Sequence, residues 1–77
     1  MKAYVLISAR TGEVRDVVSQ LKRVENVTEA NLTFGPYDAV AIVEAANIDK
    51  IGIIIYQDIQ PIPGVIDTLT CLAVNTD

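Results

Sequence analysis

The residues best suited to chemistry stand in two short stretches. Gly35-Pro36-Tyr37-Asp38 lies between two β-prone runs, and Thr68 and Thr70 sit two apart in the last such run. A hairpin turn accounts for Gly35 and Pro36. Tyr37 and Asp38 are not required by a turn. The tyrosine either packs on the hairpin or lines a pocket, and the aspartate either bonds nearby backbone or offers its carboxylate to a ligand. Thr68 and Thr70 share one strand face, and as β-formers they need no function.

Catalysis finds little material. There is no His, and Cys71 is the single cysteine, mid-strand with no base beside it, so it reads as a buried structural thiol. The ten carboxylates are spread along expected surfaces and form no recognisable acid–base pair. Neither an internal disulfide nor a Cys/His zinc site can be built, and the Cys-x-x-Cys loop of a copper carrier is absent. No catalytic residue, metal or cofactor is expected. Arg10-Thr11-Gly12 before a helix could hold an anion, but a strand-to-helix loop with Thr11 as the cap is the simpler reading.

Composition narrows the partners. Six Lys and Arg stand against ten Asp and Glu, which argues against direct binding to nucleic acid. One Phe and no Trp leave no aromatic platform for single-stranded bases. No apolar run approaches the ~20 residues of a membrane helix, and the start lacks a signal-peptide pattern. The expectation is a soluble cytoplasmic protein in which residues 1–77 form a single ligand-binding and oligomerisation domain. A core built from fewer than roughly 70–80 residues is marginal without a staple, so association with other copies is the remaining route to stability.

The elements that must position these residues follow from periodicity. Ala3 to Ala9 is a short strand, and Val14, Val17, Val18, Leu21 and Val24 make one apolar helical stripe. Val27 to Thr33, Ala39 to Ala46 and Val65 to Val74 read as strands. Asn47 is a plausible cap for a second helix carrying Ile48, Ile51, Ile55 and Ile59 at helical spacing, stopped by Pro61 and Pro63. Gly52-Ile53-Ile54-Ile55 also reads as a buried strand, but length, capping and the preceding hairpin favour helix. The order is βαββαβ, an α+β ferredoxin-like arrangement with a four-stranded antiparallel sheet. Leu21-x-x-Val24-x-x-Val27 reappears as Ile59-x-x-Ile62-x-x-Val65, the echo expected of two βαβ halves.

Both faces of that sheet are apolar. Ala3, Val5 and Ile7 oppose Tyr4 and Leu6; Ala39, Ala41 and Val43 oppose Val40 and Ile42; Leu69, Cys71 and Ala73 oppose Ile66, Leu72 and Val74. Two helices cover one set only. At about 25 cal/mol per Å², leaving ~500 Å² of apolar sheet in water forgoes roughly 12 kcal/mol, comparable to a domain's whole stability. The second face is therefore expected to meet a copy of itself across a two-fold axis. Ile53 and Tyr56 lie off the helical stripe and favour a further contact.

Gly35-Pro36-Tyr37-Asp38 before an apolar strand, and then Ile62-Pro63-Gly64-Val65-Ile66-Asp67-Thr68-Leu69-Thr70, resemble two stretches of the Lrp/AsnC family of bacterial and archaeal regulators. The resemblance runs from Ala3 to Val74. It implies the family's C-terminal effector-sensing (RAM) domain, which forms dimeric α+β barrels by sheet-face packing and then octamers or similar rings. Amino acids bind there between dimers, near the G-x-Y-D loop. Carried over, Gly35, Tyr37 and Asp38 would line the pocket, with Thr68 and Thr70 contributing from the last strand. Asp38 would accept a hydrogen bond from the effector's ammonium group, and Gly35 would let backbone N–H groups approach its carboxylate.

The regulators also carry an N-terminal helix-turn-helix, whereas this chain begins at Met1 almost directly on its first strand. That fits either a shortened regulator or a stand-alone effector domain, and Met1 and the acidic charge favour the latter. Such a protein would not bind DNA itself. It would bind an amino acid, or modulate a full-length Lrp/AsnC regulator by mixed assembly. The competing reading is a small dimeric α+β-barrel enzyme, a cofactor-free monooxygenase or isomerase, and the lack of His and of inward polar residues speaks against it. A third is an oligomerisation partner without a ligand.

Overall fold

Alternating apolar runs become strands and spaced apolar residues become helices across residues 1–75, which the computed structural model describes. Strand β1 (Lys2–Ala9), helix α1 (Val14–Leu21), β2 (Val27–Leu32), β3 (Ala39–Glu44), helix α2 (Ile48–Ile54) and β4 (Val65–Leu72) follow in βαββαβ order. α2 continues directly into five residues of π-helix, Ile55–Ile59, closed by an N–H of Gln60 donating to the Ile55 carbonyl at 2.8 Å. The strands form one antiparallel sheet in the order β2-β3-β1-β4, the ferredoxin-like arrangement. No helix of the described residues is long and apolar enough to cross a membrane.

The helices bury the expected stripes, with two corrections. In α1, Val17, Val18 and Leu21 are buried, and Val14 and Val24 pack at their edge. Thr11 does not cap it. Gly12 turns the chain with φ +87°, the N–H of Glu13 donates to the Arg10 carbonyl at 2.9 Å, and the helix starts at Val14 without a side-chain cap. Arg10 pairs instead with Glu13 across that turn at 3.0 Å. Asn47 caps α2 as expected, its Oδ1 accepting from the N–H of Lys50 at 2.9 Å. Ile51, Ile54, Ile55 and Ile59 are buried, but Ile48 is 53% exposed. Helical spacing sets the angle of Ile48 on the helix; it does not place other core residues against the helix's first turn.

The internal echo is a repeat of backbone bonding. The N–H of Val24 donates to Leu21 (3.1 Å) and that of Val27 to Val24 (3.0 Å); the N–H of Ile62 donates to Ile59 (3.1 Å) and that of Val65 to Ile62 (3.1 Å). Each half thus leaves its helix through the same pair of tight turns and opens its strand on Val.

Strand register divides the sheet cleanly, because residues directly opposite share a face. Ala3, Val5, Ile7, Ala39, Ala41, Val43 and Ala30 lie under the helices and are buried. Two rows cross the other face: Asn31–Val40–Leu6–Leu69 and Glu29–Ile42–Tyr4–Cys71. Their centre is apolar and uncovered, with Tyr4 39% and Leu69 50% exposed. Cys71, expected as a buried thiol, is exposed in the subunit because β4 is an edge strand and Cys71 faces the open side.

Gly64 holds the second crossover against the first helix. Its φ is +99°, its carbonyl accepts from the N–H of Arg10 at 2.8 Å, and a Cβ there would lie 3.0 Å from Val17 Cγ2 and 3.1 Å from Glu13 Cβ. Strained backbone of this kind costs about 1–3 kcal/mol for a non-glycine residue. Gly64→Ala is expected to lower the midpoint of thermal unfolding by at least ~4 °C, read by circular dichroism, given about 4–8 °C per kcal/mol for a domain of this size.

Candidate functional site

The 33–38 loop is pinned rather than loose. The N–H of Thr33 donates to the Asp38 carbonyl at 3.0 Å, and Thr33 Oγ1 donates to the Tyr37 carbonyl at 2.7 Å. The N–H of Asp38 donates to the Ile7 carbonyl at 2.9 Å, and Asp38 Oδ2 accepts from the N–H of Ala9 at 2.8 Å. The carboxylate therefore serves as a backbone-like acceptor at the end of β1, and only Oδ2 is so committed among the described contacts. Gly35, Pro36 and Tyr37 line a shallow apolar hollow of about 360 Å³ with Leu6 and Thr33, and Phe34 stands fully exposed at the rim.

Thr68 and Thr70 lie elsewhere in the subunit. They pair with Ile7 and Val5, so they face the helix side of edge strand β4, while the hollow beside Gly35 includes Leu6 of the open side. Gln60 Nε2 donates to Thr68 Oγ1 at 3.2 Å. Thr70 lines a second groove of about 460 Å³ between β4 and the helix, walled by Ile48, Ile51, Ile55 and Leu72, with Tyr56 and Gln60 as its other polar-bearing residues. β1 separates the two regions: Ile7 pairs with Ala39 on one side and Thr68 on the other. One subunit alone does not bring the five motif residues into one pocket.

Motif reasoning left out Gln60, and it read Tyr56 only as an off-stripe residue favouring a further contact, not as part of a site. Their signal was the i+4 row Ile48-Gly52-Tyr56-Gln60, which runs along the groove. A wider hollow of about 640 Å³, between α1 and β2 with Arg15, Ser19, Lys22 and Asn31, contains none of the motif residues. Among the described residues, no group of three His, Cys, Asp or Glu could hold a metal ion.

A family model described as the Lrp/AsnC ligand binding domain matches residues 2–76. The chain belongs to this family. The Lrp/AsnC domain here is 32% identical over 76 residues to the HTH-type transcriptional regulator FL11 of Pyrococcus abyssi, covering 99% of this chain and 50% of that one. It thus spans about half the length of the curated relatives it matches. The crystal structure of TTHA0845 from Thermus thermophilus superposes with a TM-score of 0.92 at 30% identity, covering 99% of this chain and 95% of that one. The transcriptional regulator NMB0573 of Neisseria meningitidis, solved as an L-Met complex, shares the fold with a TM-score of 0.85 at 13% identity, covering 97% of this chain and 50% of that one. The fold and the regulatory kinship of the domain therefore agree with the sequence motifs.

The structural duty of Asp38 can be separated from any ligand duty. Asp38→Ala leaves the N–H of Ala9 without its acceptor in a partly buried place, a loss of about 1–3 kcal/mol. Asp38→Asn keeps an oxygen there. Thermal unfolding is expected to show a clear drop for the alanine variant and a much smaller one for the asparagine variant.

Proposed function

We propose that this Lrp/AsnC domain is a non-enzymatic regulatory sensor, residues 1–77 acting as one unit, that binds an amino acid at junctions between copies of itself. The observation that carries the reading is the division of the motif residues. Gly35, Tyr37 and Asp38 sit at one end of the sheet and Thr68 and Thr70 on its far edge strand, so a pocket using all five needs more than one subunit. The uncovered rows Val40–Leu6–Leu69 and Ile42–Tyr4–Cys71, rimmed by Asn31, Glu29 and Asp67, support sheet-face dimers. Dimers then assemble into an octamer or similar ring.

The naming of the relatives as transcriptional regulators supports a regulatory rather than a catalytic role. The L-Met held by NMB0573 supports an amino acid as the effector class. The acidic charge, −4 at pH 7, is unsuited to gripping DNA. The domain would instead act in the cytoplasm by joining full-length Lrp/AsnC regulators in mixed assemblies.

Two measurements test this. A thermal-shift screen of the twenty amino acids, followed by calorimetry, is expected to find at least one that stabilises the protein. At about 100-fold over Kd the gain is about 2.7 kcal/mol. Asp38→Asn should abolish that response while lowering the ligand-free unfolding midpoint only slightly. A flat response to all twenty removes the sensor reading. Separately, Leu69→Glu on the open face should reduce the particle measured by light scattering to the 8.3 kDa subunit; an unchanged mass removes the sheet-face dimer.

A further inference from the structure

The wide hollow between α1 and β2 is lined by two cations and no carboxylate. Arg15, Ser19 and Lys22 form its helix bank, Asn31 and Leu32 its strand bank, with the buried Val18 and Ala30 between. At about 100° per residue, positions 15, 19 and 22 fall within roughly 60° of one another on the helix surface. The carboxylates of the same region, Glu13 and Asp16, line a different hollow. Among the described residues neither Arg15 nor Lys22 has an ion-pair partner; the pair that forms is Arg10 with Glu13. A chain of net charge −4 thus keeps two uncompensated cations on one bank.

The other bank is a free sheet edge, since β2 ends the strand order. The N–H of Thr33 donates to the Asp38 carbonyl and that of Glu44 to the Asn26 carbonyl, while Asn31 pairs with Val40 and Glu29 with Ile42. Alternation in an antiparallel ladder therefore turns the N–H and C=O of Ala30 and Leu32 away from β3, toward the hollow. Ala30 is only 5% exposed, and a backbone group so nearly buried needs a partner from water or a ligand.

We propose that this hollow binds an acidic peptide segment in extended form, laid antiparallel along the edge of β2 with carboxylates on alternate residues reaching Arg15 and Lys22. Strand addition supplies partners for the outward groups of Ala30 and Leu32, and the cations select the side chains. Residues directly opposite share a face, so the peptide side chains paired with Ala30 and Leu32 point to the helix side. Those side chains stand about 7 Å apart. Arg15 and Lys22 lie about 10 Å apart along the helix axis, and their long side chains take up the difference. The segment belongs to another protein rather than a second copy, because the chain's other edge strand, β4, carries one carboxylate, Asp67. A small anion would satisfy the cations but not the strand edge.

The test uses the full chain and a capped, fluorescent eight-residue peptide alternating valine with glutamate, read by anisotropy. Saturable binding is expected. Lys22→Gln should weaken it about threefold, and Arg15→Gln with Lys22→Gln about tenfold. Arg23→Gln, adjacent in sequence but lining other hollows, should leave it unchanged. In the antiparallel pairing the N–H groups of the glutamates meet Ala30 and Leu32. N-methylating the glutamates should therefore abolish binding, and N-methylating the valines should not. A valine–lysine peptide should not bind. No saturable binding, or equal weakening by Lys22→Gln and Arg23→Gln, overturns the proposal. So does any methylation pattern other than loss in the glutamate form alone; equal binding of both forms would mean that the hollow takes anions without adding a strand.

Discussion

A four-stranded sheet has two sides, and this chain has helices for one. On the covered side the sheet sets four alanines, Ala3, Ala30, Ala39 and Ala41, among Val5, Ile7 and Val43, while the helices bring bulk in Leu21, Ile51 and Ile59. Small against large lets the two layers interlock at close range, as dense packing demands. The strands cannot be made polar on their other side without losing the apolar residues that crowd it, so Tyr4, Leu6, Val40, Ile42 and Leu69 stand ready for a partner. The assembly proposed above would supply the layer that the subunit itself lacks on that side.

The loop between β2 and β3 shows what Asp38 does within the subunit. Asp38 ends the hairpin, yet its side chain reaches past it to the N–H of Ala9 on β1. Bonding to local backbone was the plain alternative to a ligand role, and the structure contains a version of it, directed at the neighbouring strand. Only Oδ2 is engaged in the described contacts, so the other carboxylate oxygen has no protein partner among them.

Much of the architecture was legible because its signals are periodic. Alternation in β1 and β3 sorted the side chains onto the correct faces, and the stripe Val14, Val17, Val18 and Leu21 gave α1 its inner side. What escaped were features that depend on where an element ends or lies. Ile48 has the right helical angle but the wrong turn, and Ile54 is buried in its place. Thr11 looks like a cap, but the turn at Gly12 moves the helix start beyond it. Cys71 and the two threonines sit on an edge strand, a position no local pattern announces. The candidate site was readable as residue types but not as a place, because Gly35 and Thr70 are brought near or kept apart only by strand order.

That same strand order settles where the outer ends of β1 and β4 lie. β1 and β4 are neighbours and run in opposite directions, so Met1 and Ala73 come out side by side, the N–H of Ala73 donating to the Lys2 carbonyl at 2.9 Å. Asp38 sits at the opposite tip of β1, an eight-residue strand away, or about 26 Å at the usual rise per residue. A segment leading into β1 and one leaving β4 thus share a single corner of the sheet, remote from the β2–β3 loop.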